Sequence, residues 1–212
     1  MNARPSGISF LGAPLALEPT AARADLPFLG IPYGDPHDMR NLCPPAAEAP
    51  DAVRSASAEF AADLGNHDFD LGGPVFPDPP VRLVDCGDGP GDPRDLEDAR
   101  ASGNIPVAAD EVHARGAKWL ADLFPAGEHV YITIDIDGLD PSCAPGTLWP
   151  SPGGLTFTQV AALVRTLAGN GELAGTDICE FAPSRDLQGH TACVITRLLM
   201  NAMGVAARRQ AR

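Results

Sequence analysis

Apolar and polar residues alternate in several short stretches of the chain, and segments with helical spacing separate these stretches. The clearest strand pattern is "HVYITIDID" (129–137), where Val130, Ile132, Ile134 and Ile136 alternate with polar residues. Shorter apolar stretches predict further strands at 26–34, 81–88, 104–110 and 173–183. Strands and helices in this order predict an α/β fold of three layers, in which helices cover both faces of a mainly parallel sheet.

Helices are predicted between these strands, where apolar residues recur every three or four positions. One helix covers 49–65, and another follows Asp110, as its N-cap, through 111–124. A third begins at Thr156, whose spacing to Gln159 is typical of a capping box. The residues expected to face the core are Ala117, Leu120, Ala121 and Phe124, then Val160, Leu163, Val164 and Leu167, and in a final helix Ile195, Leu198, Leu199 and Ala202.

The composition indicates an acidic protein with many turns. The 212 residues include 28 acidic and 15 basic residues, for a net charge of −13, and 22 glycines and 22 prolines. An acidic surface repels phosphate backbones and anionic lipids, so neither nucleic acid nor membrane is expected as a partner. The five cysteines are scattered, and the apolar stretch at 8–17 lacks the layout of a signal peptide, which favours a cytoplasmic location. We expect a single domain over 1–212, with a frayed basic tail at 207–212.

Two carboxylates, Asp135 and Asp137, lie at the end of the clearest strand. Strand residues two apart point to the same face, about 6.5–7 Å apart at the backbone, so both carboxylates are expected to face one place. Acids held this close repel each other unless a cation or a proton lies between them, which a divalent metal site would explain. The alternative is turn chemistry, in which Asp and Gly end the strand and Asp140-Pro141 shapes the loop. Spacing alone leaves both explanations open.

The residues around these carboxylates resemble a known family. "YITIDIDGLDPSCAPGTLWPSPGGLT" (131–156) is similar to the third signature of the ureohydrolases, the arginase and agmatinase family. The resemblance continues in "FLGIPYG", "DAVRSAS", "LVDCGD", "DEVHARG" and "GTDICEFAPSRDLQGHTACVITRLL", and it covers most of the chain from about residue 8 to 204. It is agmatinase-like rather than typical of arginase proper. It implies the arginase-like version of the α/β fold.

The resemblance also implies a hydrolase that uses a pair of Mn²⁺ ions. In the family the two aspartates of D-x-D bind the metals, which makes Asp135 and Asp137 the implied metal ligands. The glutamate after the last strand, matched by Glu180, faces the guanidinium group of the substrate. The implied reaction is hydrolysis of a small guanidino compound, such as agmatine or a guanidino acid, to urea and an amine. Family members assemble as trimers or hexamers, so a homo-oligomer, or a hetero-oligomer with an intact relative, is implied as well.

Two other signatures of the family, G-G-D-H-S and D-A-H-x-D, are not found in the sequence. In the family they supply further His and Asp ligands, so their lack predicts weak or incomplete metal binding and impaired or absent activity. The resemblance places the gap around residues 95–101, where a block on the order of 100 residues is missing from the domain. Because the strands leading to both signatures lie inside the family's sheet, the remaining strands are expected to lack central neighbours.

Histidines elsewhere in the chain could replace the missing ligands only if they reach the carboxylates. His113 is predicted on a helix, His129 at the opposite end of its strand, and His190 at the start of the final helix. His37, in "GDPHDM" after the first strand, is the best placed of the five, the alternative being a solvated loop residue.

Three functional hypotheses remain open on this sequence. The first is an amidinohydrolase acting on a guanidino compound. The second is a non-catalytic remnant of an internal deletion, or a subunit that assembles with an intact relative. The third is a protein that binds guanidino ligands through Glu180 without hydrolysis.

Overall fold

The computed structural model describes residues 8–15, 25–30, 48–76, 81–88, 107, 109–123 and 126–210. Its strands are β1 (Leu26–Gly30), β2 (Leu83–Asp88), β3 (His129–Asp135) and β4 (Glu172–Cys179). Its α-helices are α1 (Ala49–Ser57), α2 (Ala109–Arg115), α3 (Phe157–Asn170) and α4 (His190–Gln210). Short 3₁₀ helices lie at Phe10–Gly12, Ala58–Phe60, Lys118–Leu123, Ile136–Gly138 and Pro183–Arg185.

The described strands form two separate parallel pairs rather than one continuous sheet. β1 pairs with β2, starting from Leu26 opposite Leu83, and β3 pairs with β4, ending with Asp135 opposite Cys179. The predicted α/β class with parallel strands is therefore confirmed. The expectation that central strands are missing from the sheet stays a prediction, because only the described strands can be compared.

The core lies between the β3–β4 pair and the two long helices. The capping box that begins α3 is present, because Thr156 accepts the backbone N–H of Gln159 and the Gln159 side chain accepts that of Thr156. The residues buried here include Ile132, Ile134, Ile136, Val160, Val164, Ile195, Leu198, Leu199 and Ala202. The predicted inner faces of the third and final helices are thus largely confirmed, while Leu163 and Leu167 are only partly buried.

The opposite face of the β3–β4 pair is open to solvent. Tyr131 is 61% exposed, and Thr133 and Asp177, which are register partners, are exposed as well. The Tyr131 hydroxyl donates to the Asp177 carboxylate at 3.2 Å. Parallel strands are normally covered on both faces, whereas these described side chains on one face of the pair are exposed.

A buried ion pair ties the β1–β2 pair to α1. Arg54 on α1 donates through Nε and Nη2 to the two carboxylate oxygens of Asp85 on β2, at 2.8 and 3.0 Å. Both side chains are fully buried, and the backbone N–H of Phe10 donates to the same carboxylate at 2.7 Å. The Phe28 ring of β1 lies under the guanidinium, 5.2 Å away, and stacks on Phe10. One ion pair therefore joins a helix, a strand and the N-terminal segment.

Several predicted element boundaries were wrong. The helix predicted for 49–65 ends at Ser57 and continues only as a 3₁₀ turn, and the final helix runs through most of the predicted frayed tail, to Gln210. Asp110 is not an N-cap, because α2 already begins at Ala109. Gly116, with a φ of 72°, ends that helix, and a 3₁₀ segment follows. Of the predicted strand at 104–110, Val107 has no regular structure and the last two residues are helical.

Other predictions fall on positions that the structure does not describe. These are residues 31–34 of the first strand, 104–106 and 108, the side chains of Ala121 and Phe124, and His37.

None of the helices within the described ranges combines the length and the apolar character needed to cross a bilayer.

Candidate functional site

The candidate carboxylates lie where β3 and β4 end side by side. β3 ends at Asp135, whose register partner is Cys179, the last residue of β4, and Glu180 follows directly. Because both strands are parallel, their carboxyl ends meet at one edge, which is where ligands bind in α/β folds. The sequence therefore placed Asp135, Asp137 and Glu180 at the correct edge.

The two aspartates are not presented by one straight strand as predicted. β3 stops at Asp135, and Ile136–Gly138 forms a 3₁₀ turn that carries Asp137. The reason is local, because the Asp135 carboxylate accepts the backbone N–H of Asp137 at 2.8 Å and so caps the turn. The adjacent Ile136 is completely buried, which anchors the turn against the core. The predicted geometry was wrong, yet the two carboxylates still come together.

Asp137 is the electrostatic centre of the site. Burial raises the pKa of its carboxyl to about 6, and the neighbouring charges of Asp135 and Glu180 add to the shift. A hydrogen bond from the Trp149 backbone N–H acts in the opposite direction. The Oδ1 atom of Asp137 is buried and has no hydrogen-bond partner among the described residues. A buried, unpartnered carboxylate oxygen beside two further acids is an environment that favours a cation or a proton.

The same group of negative charges affects the pKa of the Cys179 thiol. Burial first, and then the charges of Asp135, Asp177, Glu180 and Asp137, raise its pKa to about 12. The thiol therefore stays protonated at neutral pH and is not a nucleophile. Its neighbourhood is one in which any added cation gains favourable interactions with several carboxylates.

Glu180 is held in an unusual backbone conformation. Its φ is 59°, in the left-handed region that side chains other than glycine and asparagine seldom adopt. The side chain is exposed, while Phe181 and Ala182 directly after it are buried. The Ala182 N–H donates to the carbonyl oxygen of Gly146 at 2.8 Å, which fastens this turn to the loop after the D-x-D residues. The fold thus bends sharply at Glu180 and presents its carboxylate at the edge of the site.

The turn-chemistry explanation holds for Asp140. Its carboxylate accepts the backbone N–H groups of Ser142 and Gly153 at 2.9 and 2.8 Å. Hydrogen bonds from Ser142, and then the one from Gly153, hold the pKa of Asp140 below its ordinary value. Asp140 therefore shapes the loop, whereas Asp137 has no such set of donors.

Among the histidines that the structure describes, His113 has other partners, and His129 and His190 lie outside the turns that carry the carboxylates. His113 lies 3.1 Å, through Nε2, from the carbonyl oxygen of Gly153, and its Nδ1 lies 2.9 Å from the Gln159 amide nitrogen. Since a carbonyl can only accept, Nε2 carries the proton and Nδ1 accepts, which leaves neither nitrogen for a metal. His129 lies at the start of β3 near Glu172, and His190 is the first residue of α4.

The donors at this edge fit one weakly held cation better than a pair of ions. Asp135 and Asp137 offer hard oxygen ligands of the kind that Mg²⁺ and Mn²⁺ prefer, and the unpartnered Oδ1 of Asp137 is suited to such an ion. Within the described residues, however, no group of three or more His, Cys, Asp or Glu side chains is arranged to hold a metal ion. This part of the chain does not supply the ligands that two ions need.

The sequence reasoning missed two residues in the loop that follows the D-x-D turn. Trp149, whose backbone N–H reaches Asp137, is 66% exposed, so its indole lies in solvent close to the site. Thr147 is only 3% exposed, and its hydroxyl has no hydrogen-bond partner among the described residues. The signal in the sequence that could have identified them is their position, since both residues follow the D-x-D pattern within the same loop. The pattern does not, however, show which way that loop folds.

Replacing Asp137 with asparagine is expected to change how the stability of the metal-stripped protein depends on pH. The folded-state pKa of this acid is raised, so the folded protein binds the proton more tightly than the unfolded chain. Its ionisation destabilises the fold above pH about 6, and this penalty disappears as the pH falls towards the unfolded value of 3.8. Urea unfolding at several pH values should show Asp137→Asn more stable than the original chain near pH 7.5, with the difference shrinking towards pH 4.5. A difference that grows on acidification would contradict the geometry.

Comparison with known proteins gives a consistent result. The Arginase family model matches residues 92–204, more than half of the chain. Proclavaminate amidinohydrolase of Streptomyces clavuligerus is 39% identical over 109 residues, which are 50% of this chain and 34% of that protein. The agmatinase of Chromobacterium violaceum is 46% identical over 79 residues, which are 34% of this chain and 24% of that enzyme. The matched segments thus span only 34% and 24% of the length of these curated relatives.

Solved structures show the same fold. A crystal structure described as a hypothetical agmatinase from Burkholderia thailandensis superposes with a TM-score of 0.75 at 22% identity, covering 98% of this chain and 92% of that one. The proclavaminate amidino hydrolase of S. clavuligerus superposes with a TM-score of 0.73, also at 22% identity, covering 96% and 98%. At this identity the likeness establishes the fold alone.

Proposed function

Since the chain belongs to the arginase family, we propose that its β3–β4 edge is a partial ureohydrolase site, which binds a divalent cation weakly but does not release urea on its own. The observation that carries this proposal is the buried Oδ1 of Asp137, which has no hydrogen-bond partner among the described residues and lies beside the charges of Asp135 and Glu180. In this proposal Asp135 and Asp137 are the cation ligands. Glu180 is the contact for a guanidino compound such as agmatine or a guanidino acid.

The carboxylate of Glu180 supports a guanidino ligand on chemical grounds. A guanidinium group is planar and presents paired N–H donors, which a carboxylate accepts in two parallel hydrogen bonds. Glu180 is exposed and lies beside further acids, so its carboxylate is accessible to such a cation. Mn²⁺ is the cation implied by family membership, and the same oxygen donors also suit Mg²⁺.

The expected lack of urea release follows from the number of ligands. Hydrolysis of this kind uses two ions a few ångströms apart to activate water, and each ion needs several protein ligands. Asp135 and Asp137 are too few ligands for two ions, because Glu180 is assigned to the substrate. We therefore assign no catalytic step to the described residues.

A metal titration combined with a urea assay tests this proposal. Millimolar Mn²⁺ should raise the melting temperature of the metal-stripped chain, because a ligand that binds only the folded state stabilises it. Asp137→Asn should abolish this shift, while Asp63→Asn, which removes the same charge from an exposed turn, should preserve it. No urea should appear from agmatine or 4-guanidinobutyrate at any Mn²⁺ concentration. Urea release that depends on Mn²⁺ and is lost in Asp137→Asn would refute the proposal.

A role as a subunit of a larger assembly is a second candidate. It is favoured by the β3–β4 pair, whose outer face, with Tyr131 and Asp177, is exposed although parallel strands are normally covered on both sides. A partner chain of the same family could cover this face, in a homo-oligomer or with an intact relative. Co-expression with an intact agmatinase should then give a mixed complex in which Tyr131 becomes protected from iodination. Strictly separate purification of the two chains would contradict the mixed assembly.

A further inference from the structure

A cavity that shares no residue with the carboxylate edge lies between the C-terminal ends of α3 and α4. Its volume is about 760 Å³, which is within the range of small-molecule sites. Three arginines line it, Arg165 from α3 and Arg208 and Arg209 from α4. The side chains of Leu71 and Val205 form an apolar part of the cavity wall. The cavity therefore combines cationic groups with enough apolar surface to hold an organic molecule.

The three guanidinium groups have no carboxylate partners in the part of the chain that the structure describes. Arg165 donates to the Asn201 side chain at 2.7 Å. Arg208 donates to the carbonyl oxygens of Gly204 and Pro74, and Arg209 donates to that of Gly171. Each guanidinium carries five N–H donors, so most donors on each group are not used by these bonds. Burial also lowers the pKa of Arg208, and nearby Asp68 offsets part of that shift.

Capping of helix ends explains only part of this arrangement. Arginines near a helix C-terminus commonly bond the last carbonyl groups, as Arg209 does with Gly171. Carbonyl oxygens are neutral, however, so such bonds leave the positive charges uncompensated. Asp70 also lines the cavity, but Arg197 bonds it at 2.5 Å and Asp68 at 2.9 Å. When the one unbalanced charge of that trio is set against the three arginines, two positive charges remain in the cavity. Glu172 belongs to an adjoining pocket that Arg209 also lines, and it does not line this cavity.

We infer that this cavity binds a small organic anion that carries two or more negative charges, either a phosphate ester or a di- or tricarboxylate. The planar guanidinium fork matches both carboxylate and phosphate oxygens, which are accepted in paired hydrogen bonds. The anion would neutralise the charges that the fold concentrates here in a protein whose net charge is −13. This inference does not depend on the proposed ureohydrolase site, since the two sites share no residue.

Calorimetric titration of the metal-stripped chain with citrate and with pyrophosphate tests the inference. Both anions carry several negative charges, and their comparison separates carboxylate from phosphate ligands. At least one is expected to bind, more weakly as the chloride concentration rises. Arg165→Gln should reduce the affinity about tenfold or more, the loss typical of a hydrogen bond to a charged group. Arg82→Gln, which removes an equal charge from an exposed position outside the cavity, should not.

Two further measurements test whether the anion binds in this cavity. Asp137→Asn should leave anion binding unchanged, which separates this cavity from the carboxylate edge. In the unmodified sequence, the bound anion should protect Arg165, Arg208 and Arg209 from phenylglyoxal while Arg82 still reacts, so the test does not depend on a variant that folds. Failure of both anions to bind the folded chain at millimolar concentration would overturn the inference. The inference would also be overturned if the original chain and Arg165→Gln bound the anion with equal affinity, or if the anion did not protect the three arginines.

Discussion

Replacement of Asp85 by alanine is expected to lower the free energy of unfolding by about 3–5 kcal/mol. The change leaves the fully buried Arg54 guanidinium without the two carboxylate oxygens that it contacts at 2.8 and 3.0 Å. It also removes the acceptor of the Phe10 N–H. Small domains have only about 5–15 kcal/mol of stability in total, so this loss is a large fraction. Urea unfolding followed by circular dichroism measures it.

The ion pair between Arg115 and Glu111 provides the matched control. These residues lie one turn apart on α2, and their side chains are 51% and 43% exposed. Glu111→Ala should therefore change the stability by no more than about 0.5 kcal/mol. Joint replacement of Arg54 by methionine and Asp85 by leucine should recover much of the loss, because it removes both buried charges. Similar losses for Asp85→Ala and Glu111→Ala would show that the buried pair does not stabilise the fold.

Gly154→Ala is expected to destabilise the protein by about 1–3 kcal/mol and to abolish Mn²⁺-induced stabilisation. A Cβ atom at this position would lie 2.7 Å from the Leu139 carbonyl carbon, 2.8 Å from the Asp140 nitrogen and 2.8 Å from the Gly138 oxygen. All three are backbone atoms, so no side chain can rotate away and the loop after Asp137 must move. Thermal unfolding with and without Mn²⁺ gives both effects in one experiment.

Gly138→Ala is the control for this prediction. Gly138 lies in the same loop, but a Cβ atom there would meet nothing within 4 Å, and its φ is not in the left-handed region. We expect a change within about 0.5 kcal/mol and an unaltered response to Mn²⁺. If Gly154→Ala also retained the full response to Mn²⁺, the loop geometry would have no part in placing Asp137.

The sequence predicted best those features that depend on local periodicity. Ile132 and Ile134 alternate with exposed residues as expected, and the Thr156 capping box begins α3 where it was predicted. The strand predicted over 173–183 begins at Glu172 and ends at Cys179, four residues earlier than predicted, so Glu180 follows the strand instead of belonging to it. These features follow from neighbouring residues alone, which is why a pattern can reveal them.

Features that depend on distant partners were not predicted. Nothing in the sequence indicates that Arg54 and Asp85, 31 positions apart, would share a buried ion pair. The basic tail was expected to fray, but Ala207 is buried and Arg209 donates to the carbonyl oxygen of Gly171, which lies between α3 and β4. These contacts keep the helix formed to Gln210. The strand before Asp137 was predicted two residues too long, because the periodicity does not show that the Asp135 carboxylate would cap a turn.

The left-handed backbone at Glu180 has a consequence for the stability of the fold. A glutamate in this conformation costs about 1–3 kcal/mol. Glycine would relieve much of that cost with no loss to the core, because the side chain is exposed. The chain therefore holds a negative charge at this bend at the expense of its own folding stability.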